Sequence, residues 1–139
     1  MQFETFKTRR ITLKRASRKD LREYQQQVAL HNTTQDKLNI MKNCETGYVK
    51  IENEDGKMLG LIQVDRIDEN TAHVKISIPN ESWKEKYGKE ALHQFLKCCR
   101  ERKLYRRVYL KQENSIVKDY KKERPKLFEK GFYIDIDVA

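Results

Sequence analysis

The chain has 139 residues and lacks most features that fix a protein's class at once. No run of eighteen apolar residues occurs, which excludes an apolar membrane-spanning helix. A signal-peptide pattern is also missing, so the sequence predicts a cytoplasmic protein without a membrane partner. Only three cysteines are present, Cys44, Cys98 and Cys99. An odd count without paired spacing excludes a disulfide framework, and with no zinc-ligand spacing it predicts no metal site. Cys98 and Cys99 fall within a helical pattern, where a thiol packs as a small apolar group. Repeats, low-complexity linkers and domain boundaries are all lacking, so residues 1–139 read as a single domain.

What is there, above all, is charge. Thirty Lys and Arg stand against 21 Asp and Glu, a formal net charge of +9. A field of that sign attracts polyanions, whether nucleic acid, anionic lipid or a phosphorylated cofactor. Apolar residues make up 37% of the chain, and they recur in regular patterns. That regularity predicts a folded domain rather than a solvated tail.

The segment RRITLKRA, from Arg9 to Ala16, alternates as a half-buried strand does. Ser17 and Asp20 then form a capping-box pattern. A helix follows to about residue 31, on Leu21, Tyr24 and Val28. A second helix is expected over TTQDKLNIMKN, capped by Thr33 or Thr34, with Leu38 and Met41 facing inward. From Gly47 the period becomes two. GYVKIEN and MLGLIQVDRI flank Asp55-Gly56, a strong hairpin signal, and TAHVKISIP makes a third strand. Next comes an amphipathic helix, from Trp83 or Lys84 to Arg102, with Tyr87, Ala91, Leu92, Phe95, Leu96 and Cys99 on one side. KLYRRVYLKQ supplies another strand. A polar helical segment broken by Pro125 leads to Gly131 as a helix-ending residue, and FYIDIDVA alternates to the end. The order β-α-α-β-β-β-α-β-α-β predicts an α+β fold. Its mixed sheet is mostly antiparallel, with one parallel crossover.

Three stretches carry a family resemblance. TRRITLKRASRKDL resembles the opening "T-x-R-L-x-L-R" of the ribosomal-protein N-terminal acetyltransferase branch of the GNAT superfamily of acyl-CoA N-acyltransferases. Trp83, Tyr87, Gly88, Glu90, Ala91 and Leu92 match that branch's cofactor-helix pattern "W-G-K-G-Y-G/A-T-E-A-L". KLFEKGFYIDI is similar to the superfamily's "Y-E-K-x-G-F" element. The resemblance implies a GNAT-like sheet splayed between the fourth and fifth predicted strands, HVKISI and RRVYLK. It implies acetyl-CoA as cosubstrate, with pantetheine in the gap and the diphosphate on the following helix start. There, unpaired N–H groups and the helix dipole favour an anion. On that basis the cofactor-binding residues are Ile76, Ser77, Ile78, Lys84, Lys86, Tyr87, Gly88, Lys89 and Asn114, with Asn114 also the catalytic candidate. Asn114 suits a helix cap equally well.

The chain departs from the pattern where Lys84 and Lys86 replace both glycines of "W-G-K-G". Two readings follow: a diphosphate gripped by side chains, or a site that has lost its ligand. The position at which many members place a proton-donating tyrosine is Leu127, and Tyr120 is a more distant substitute. Candidate bases are Glu113, His73 and Asp65. A backbone N–H between Ile76 and Ile78 would serve the oxyanion. The activity implied is acetyl transfer to an amine, on a protein N-terminus or a small molecule, by a monomer or homodimer. The second predicted helix and the following NCETG loop are expected to contact the acceptor. Two alternatives stand beside this: a GNAT-like domain without catalysis, and a basic nucleic-acid-binding domain. The latter would use the cation–tyrosine runs RKLYRRVYLK and KDYKKERPK, although an RNP pattern and a glycine clamp loop are both lacking.

Overall fold

The structure is a computed structural model that describes residues 2–41 and 46–138. Seven strands form one sheet in chain order: β1 (Phe6–Lys7), β2 (Thr12–Arg15), β3 (Thr46–Glu52), β4 (Met58–Asp68), β5 (Thr71–Ser77), β6 (Arg107–Leu110) and β7 (Ile134–Asp135). All neighbours are antiparallel except β5 and β6. The three helices are α1 (Arg18–Leu30), α2 (Glu81–Glu101) and α3 (Ser115–Glu123). No described helix is long and apolar enough to cross a membrane.

Local chemistry places most of these elements. Ser17 and Asp20 close the capping box at α1, each side chain taking the other's backbone N–H. Burial pushes the Asp20 carboxyl up, but hydrogen bonds from Ser17 and the Lys50 ammonium outweigh it, so the group lies below its ordinary range. The β3–β4 turn takes Gly56 at φ +76°, a left-handed geometry that costs glycine nothing. Pro125 opens a 3-10 turn over Pro125–Phe128, and Gly131 follows at φ +78°.

The strand alternation sorts the core into two layers. Val49, Ile51, Ile62, Val74 and Ile76 pack under α2 and α3. On the other face Tyr48 and Leu61 pack with Tyr24 and Val28 of α1 and with Leu38.

Three expectations are corrected. The second helix is not formed over residues 33–41: Asp36 has φ +61°, and Met41 is exposed rather than inward-facing. Backbone groups of this segment bond to tyrosine hydroxyls instead of a helical ladder. The Leu38 N–H donates to Tyr24 Oη at 3.0 Å and the Met41 N–H to Tyr48 Oη at 2.8 Å. The final strand shrinks to two paired residues, because the chain turns after Asp135 and the Ile136 N–H donates to the Arg106 carbonyl. The α2 helix begins at Glu81, earlier than Trp83. Asn80 is its cap, accepting from the Trp83 N–H at 3.2 Å. The Pro79-Asn80-Glu81 sequence carries that signal, since Asn leads among caps and an acid in the first turn favours the dipole.

Candidate active site

The parallel pairing of β5 with β6 runs from Thr71–Arg107 to Val74–Leu110 and then stops. Past that point β6 ends while β5 continues to Ser77, so the two strands part. Within one strand residue, N–H and C=O point to the same side. Ile76 directs its carbonyl to the parting, where it accepts from Asn114 Nδ2 at 2.9 Å. The Ile76 N–H therefore faces the same wedge, while Ser77 and Lys75 turn their backbone groups toward β4.

Two features hold the wedge open. At Gly60, in β4, an added Cβ would lie 2.0 Å from the Ser77 carbonyl oxygen, so glycine lets the end of β5 lean onto β4 and away from β6. On the other side stands Asn114. Its Oδ1 accepts from the Ile116 and Val117 N–H groups, capping α3, while its Nδ2 bonds to Ile76. A single buried amide thus ties the helix start to the strand edge. The cap reading of Asn114 holds, and the same side chain also reaches the Ile76 carbonyl at the strand edge.

The wedge encloses a cavity of about 150 Å³, lined by residues from three separate segments: 36–39, Val74 to Ile76, and Lys111, Asn114 and Val117. Asp36 is the only carboxylate among these lining residues. Its Oδ2 accepts from the Ser115 hydroxyl at 2.6 Å and from the Ser115 N–H at 3.2 Å. Sequence reasoning missed Asp36, because nothing in the pattern joins residue 36 to residue 115. Of the three candidate bases, Glu113, His73 and Asp65, none lines the cavity. Asp65 accepts from Thr46 Oγ1 and Gln63 Nε2, and His73 packs against Tyr109 with ring centroids 5.0 Å apart.

Among the described residues, no phenol or thiol lines the cavity. The Tyr120 hydroxyl lies 3.1 Å from His93 Nδ1, between α2 and α3, and Leu127 is buried in the core. Burial pushes the Cys98 thiol up to about 11 and Cys99 further up, so neither serves as a thiolate nucleophile. Cys44 lies outside the described residues, as does the Asn43-Cys44-Glu45 part of the NCETG loop.

The helix start that follows β5 differs from the glycine-rich pattern. Residues 83–86 belong to the first turns of α2, and no described residue between 78 and 90 has positive φ. Lysine therefore fits at both motif positions without backbone strain. The helix also uses up donors: the Trp83 N–H goes to Asn80 Oδ1 and the Lys84 N–H to the Asn80 carbonyl at 2.8 Å. The Glu81 and Ser82 N–H groups, the first of the helix, have no intrahelical partner. Lys84 Nζ reaches Glu81 at 2.9 Å, Lys89 pairs with Glu123, and Lys86 lies over the Tyr87 ring.

Tyr87, Gly88 and Ser77 have packing partners of their own. Tyr87 is buried, donates to Glu54 and carries Arg10 over its ring at 5.0 Å. Gly88 lies against Ile116, 3.0 Å from the position a Cβ would take, so it seats α2 on α3. Ser77 Oγ lies 2.7 Å from Tyr24 Oη. The nucleic-acid reading loses its stacking platform: Tyr120 is 2% exposed, Tyr105 packs against the core, and Tyr109 leans on His73.

Comparison with known proteins agrees with this architecture. Residues 5–115 match the family model of the Acetyltransferase (GNAT) domain. No curated protein matches the chain. Among solved structures, a Vibrio cholerae chain described as a ribosomal-protein-serine acetyltransferase superposes with a TM-score of 0.66 at 16% identity, covering 86% of this chain and 81% of that one. An acetyltransferase of Salmonella typhimurium that modifies the N-terminal serine of a 50S ribosomal subunit protein gives 0.65 at 12%, covering 84% and 80%. The spermidine N-acetyltransferase of Vibrio cholerae in complex with CoA and spermine gives 0.58 at 15%, covering 73% and 70%. With a splayed sheet, a helix start at its open end and a family match over most of its length, the chain belongs to the GNAT acetyltransferases, enzymes that transfer an acetyl group from acetyl-CoA to an amine.

Proposed function

We propose that acetyl transfer takes place in the β5–β6 wedge, with the Ile76 N–H as the donor to the thioester oxygen. The observation that carries this is the end of strand pairing at Val74–Leu110, beside a cavity lined by Ile76 and Asn114. A backbone donor fixed by the sheet is preorganised for the oxyanion, the kind of group whose removal costs other enzymes about 3 kcal/mol. Asn114 is a positioning residue: it holds Ile76 and the α3 start in register. Asp36 is the carboxylate placed to take the acceptor's proton, directly or through water, since Ser115 occupies only its Oδ2. No phenol is among the described residues that line the cavity, and a thiolate with a free-thiol pKa of about 8.5 can leave without a donor.

In the same reading, the Glu81 and Ser82 N–H groups and the Lys84 and Lys86 side chains hold the diphosphate. An ammonium acts there as a point charge, without requiring the close backbone approach that glycine provides.

The test is a thermal melt with acetyl-CoA, paired with thiol release in the presence of amines. Acetyl-CoA at about 100 times its Kd should add about 2.7 kcal/mol to native stability, and thiol release should depend on amine. The reading is overturned if the melting temperature stays fixed and no thiol appears with any amine.

A further inference from the structure

From the charges around the wedge, we infer that the acceptor is an amine bearing an anionic group, such as a carboxylate or phosphate close to the reacting nitrogen. This rests on acetyl transfer occurring in the wedge. Three lysines, Lys37, Lys75 and Lys111, are among the residues that line the cavity, against one acidic residue, Asp36. That carboxylate is already engaged by Ser115. None of the three lysines makes an ion pair among the described residues.

The arrangement of two of them follows from register. His73 and Tyr109 are paired across β5 and β6 and touch through their rings. Two residues further along each chain, where the strands part, come Lys75 and Lys111. Both carry the same charge on either side of the parting, and among the described residues neither makes an ion pair that would offset the repulsion. Lys37 approaches the same cavity from the irregular segment that replaces the second predicted helix.

Such a site repels a polyamine, whose further ammonium groups would enter a field of their own sign. It attracts a carboxylate or phosphate, for which lysine is a compact donor of charge-assisted hydrogen bonds. The same field favours the neutral form of the acceptor amine, because nearby positive charge disfavours its ammonium. Nucleophilic amine would then be available without a strong base.

The experiment compares kcat/KM at fixed acetyl-CoA for five acceptors: three tripeptides with neutral, acidic or basic second residues, phosphoethanolamine and spermidine. The acidic peptide or phosphoethanolamine should exceed the neutral peptide by about tenfold and spermidine by more, with the advantage shrinking as salt is added. Which of the two leads separates a carboxylate source from a phosphate source. Lys75→Gln and Lys111→Gln should each reduce the anionic-to-neutral ratio about three- to fivefold, the size of one exposed ion pair. Lys75→Arg should retain it, and thermal melts report whether each variant is folded. Turnover that is equal for all acceptors, or best for spermidine, overturns this inference and leaves acetyl transfer standing. Absence of turnover with every amine overturns both.

Discussion

Replacing Gly60 by alanine tests the geometry of the wedge at its origin. An ideal Cβ at Gly60 would lie 2.0 Å from the Ser77 carbonyl oxygen and 3.0 Å from Ile78 Cα, where ordinary contact is 3.4–4 Å. The obstructing atoms are backbone, so no rotamer change relieves them. The end of β5 must move by more than an ångström, or β4 must. Overpacking of this kind usually costs 1–3 kcal/mol, and a backbone clash belongs at about the upper end. Alanine regains up to about 1 kcal/mol by restricting the unfolded chain, which leaves a net loss of about 2–3 kcal/mol. For a domain this size the melting temperature should fall by about 6–15 °C. Denaturant titration should give the same loss at an unchanged m-value. A β5 end displaced from β4 moves toward β6 and narrows the wedge, so the stabilisation by acetyl-CoA should also shrink. A variant that melts within about 2 °C of the parent, with its response to acetyl-CoA intact, would refute the claim that Gly60 lets β5 lean away.

Two further outcomes follow from the same geometry. Asn114→Ala strips the cap from α3, worth about 1 kcal/mol, and leaves the buried Ile76 carbonyl unpaired at a further cost of about 1–3 kcal/mol. Denaturant titration should show the sum, while Asn114→Asp, which keeps the Oδ1 acceptor, should recover the cap contribution only. Burial, followed by the charges of Arg124, Lys97 and Arg100, holds His93 below its ordinary 6.5. The unfolded chain therefore binds that proton more readily. Its contribution to stability is present above about pH 6.5 and is lost as pH falls through the folded-state value. Melting curves from pH 7 down to 5 should lose less stability in His93→Gln than in the parent.

Much of this protein is written in short-range chemistry. Ser17 with Asp20, the Asp55-Gly56 turn and the alternation of Val74 and Ile76 each act within a few residues, and each formed as the pattern implies. The stripe on α2 that includes Leu92, Phe95 and Leu96 was equally legible, because one helix face determines burial. Pattern fails where partners are remote. Residues 33–41 have helical spacing, yet Tyr24 and Tyr48 bind their backbone and hold them irregular. That choice brings Asp36 to Ser115 and Lys37 to the wedge, neither of which local propensity encodes. By contrast, the motif lysines fall on α2 as the helical pattern implied, because the cap at Asn80 acts within a few residues. Sequence alone thus determined most of the elements and the family, through interactions closed within a turn or a strand. The wedge, its charges and the double role of Asn114 arise from where β6 ends beside β5, and only packing of the whole chain sets that.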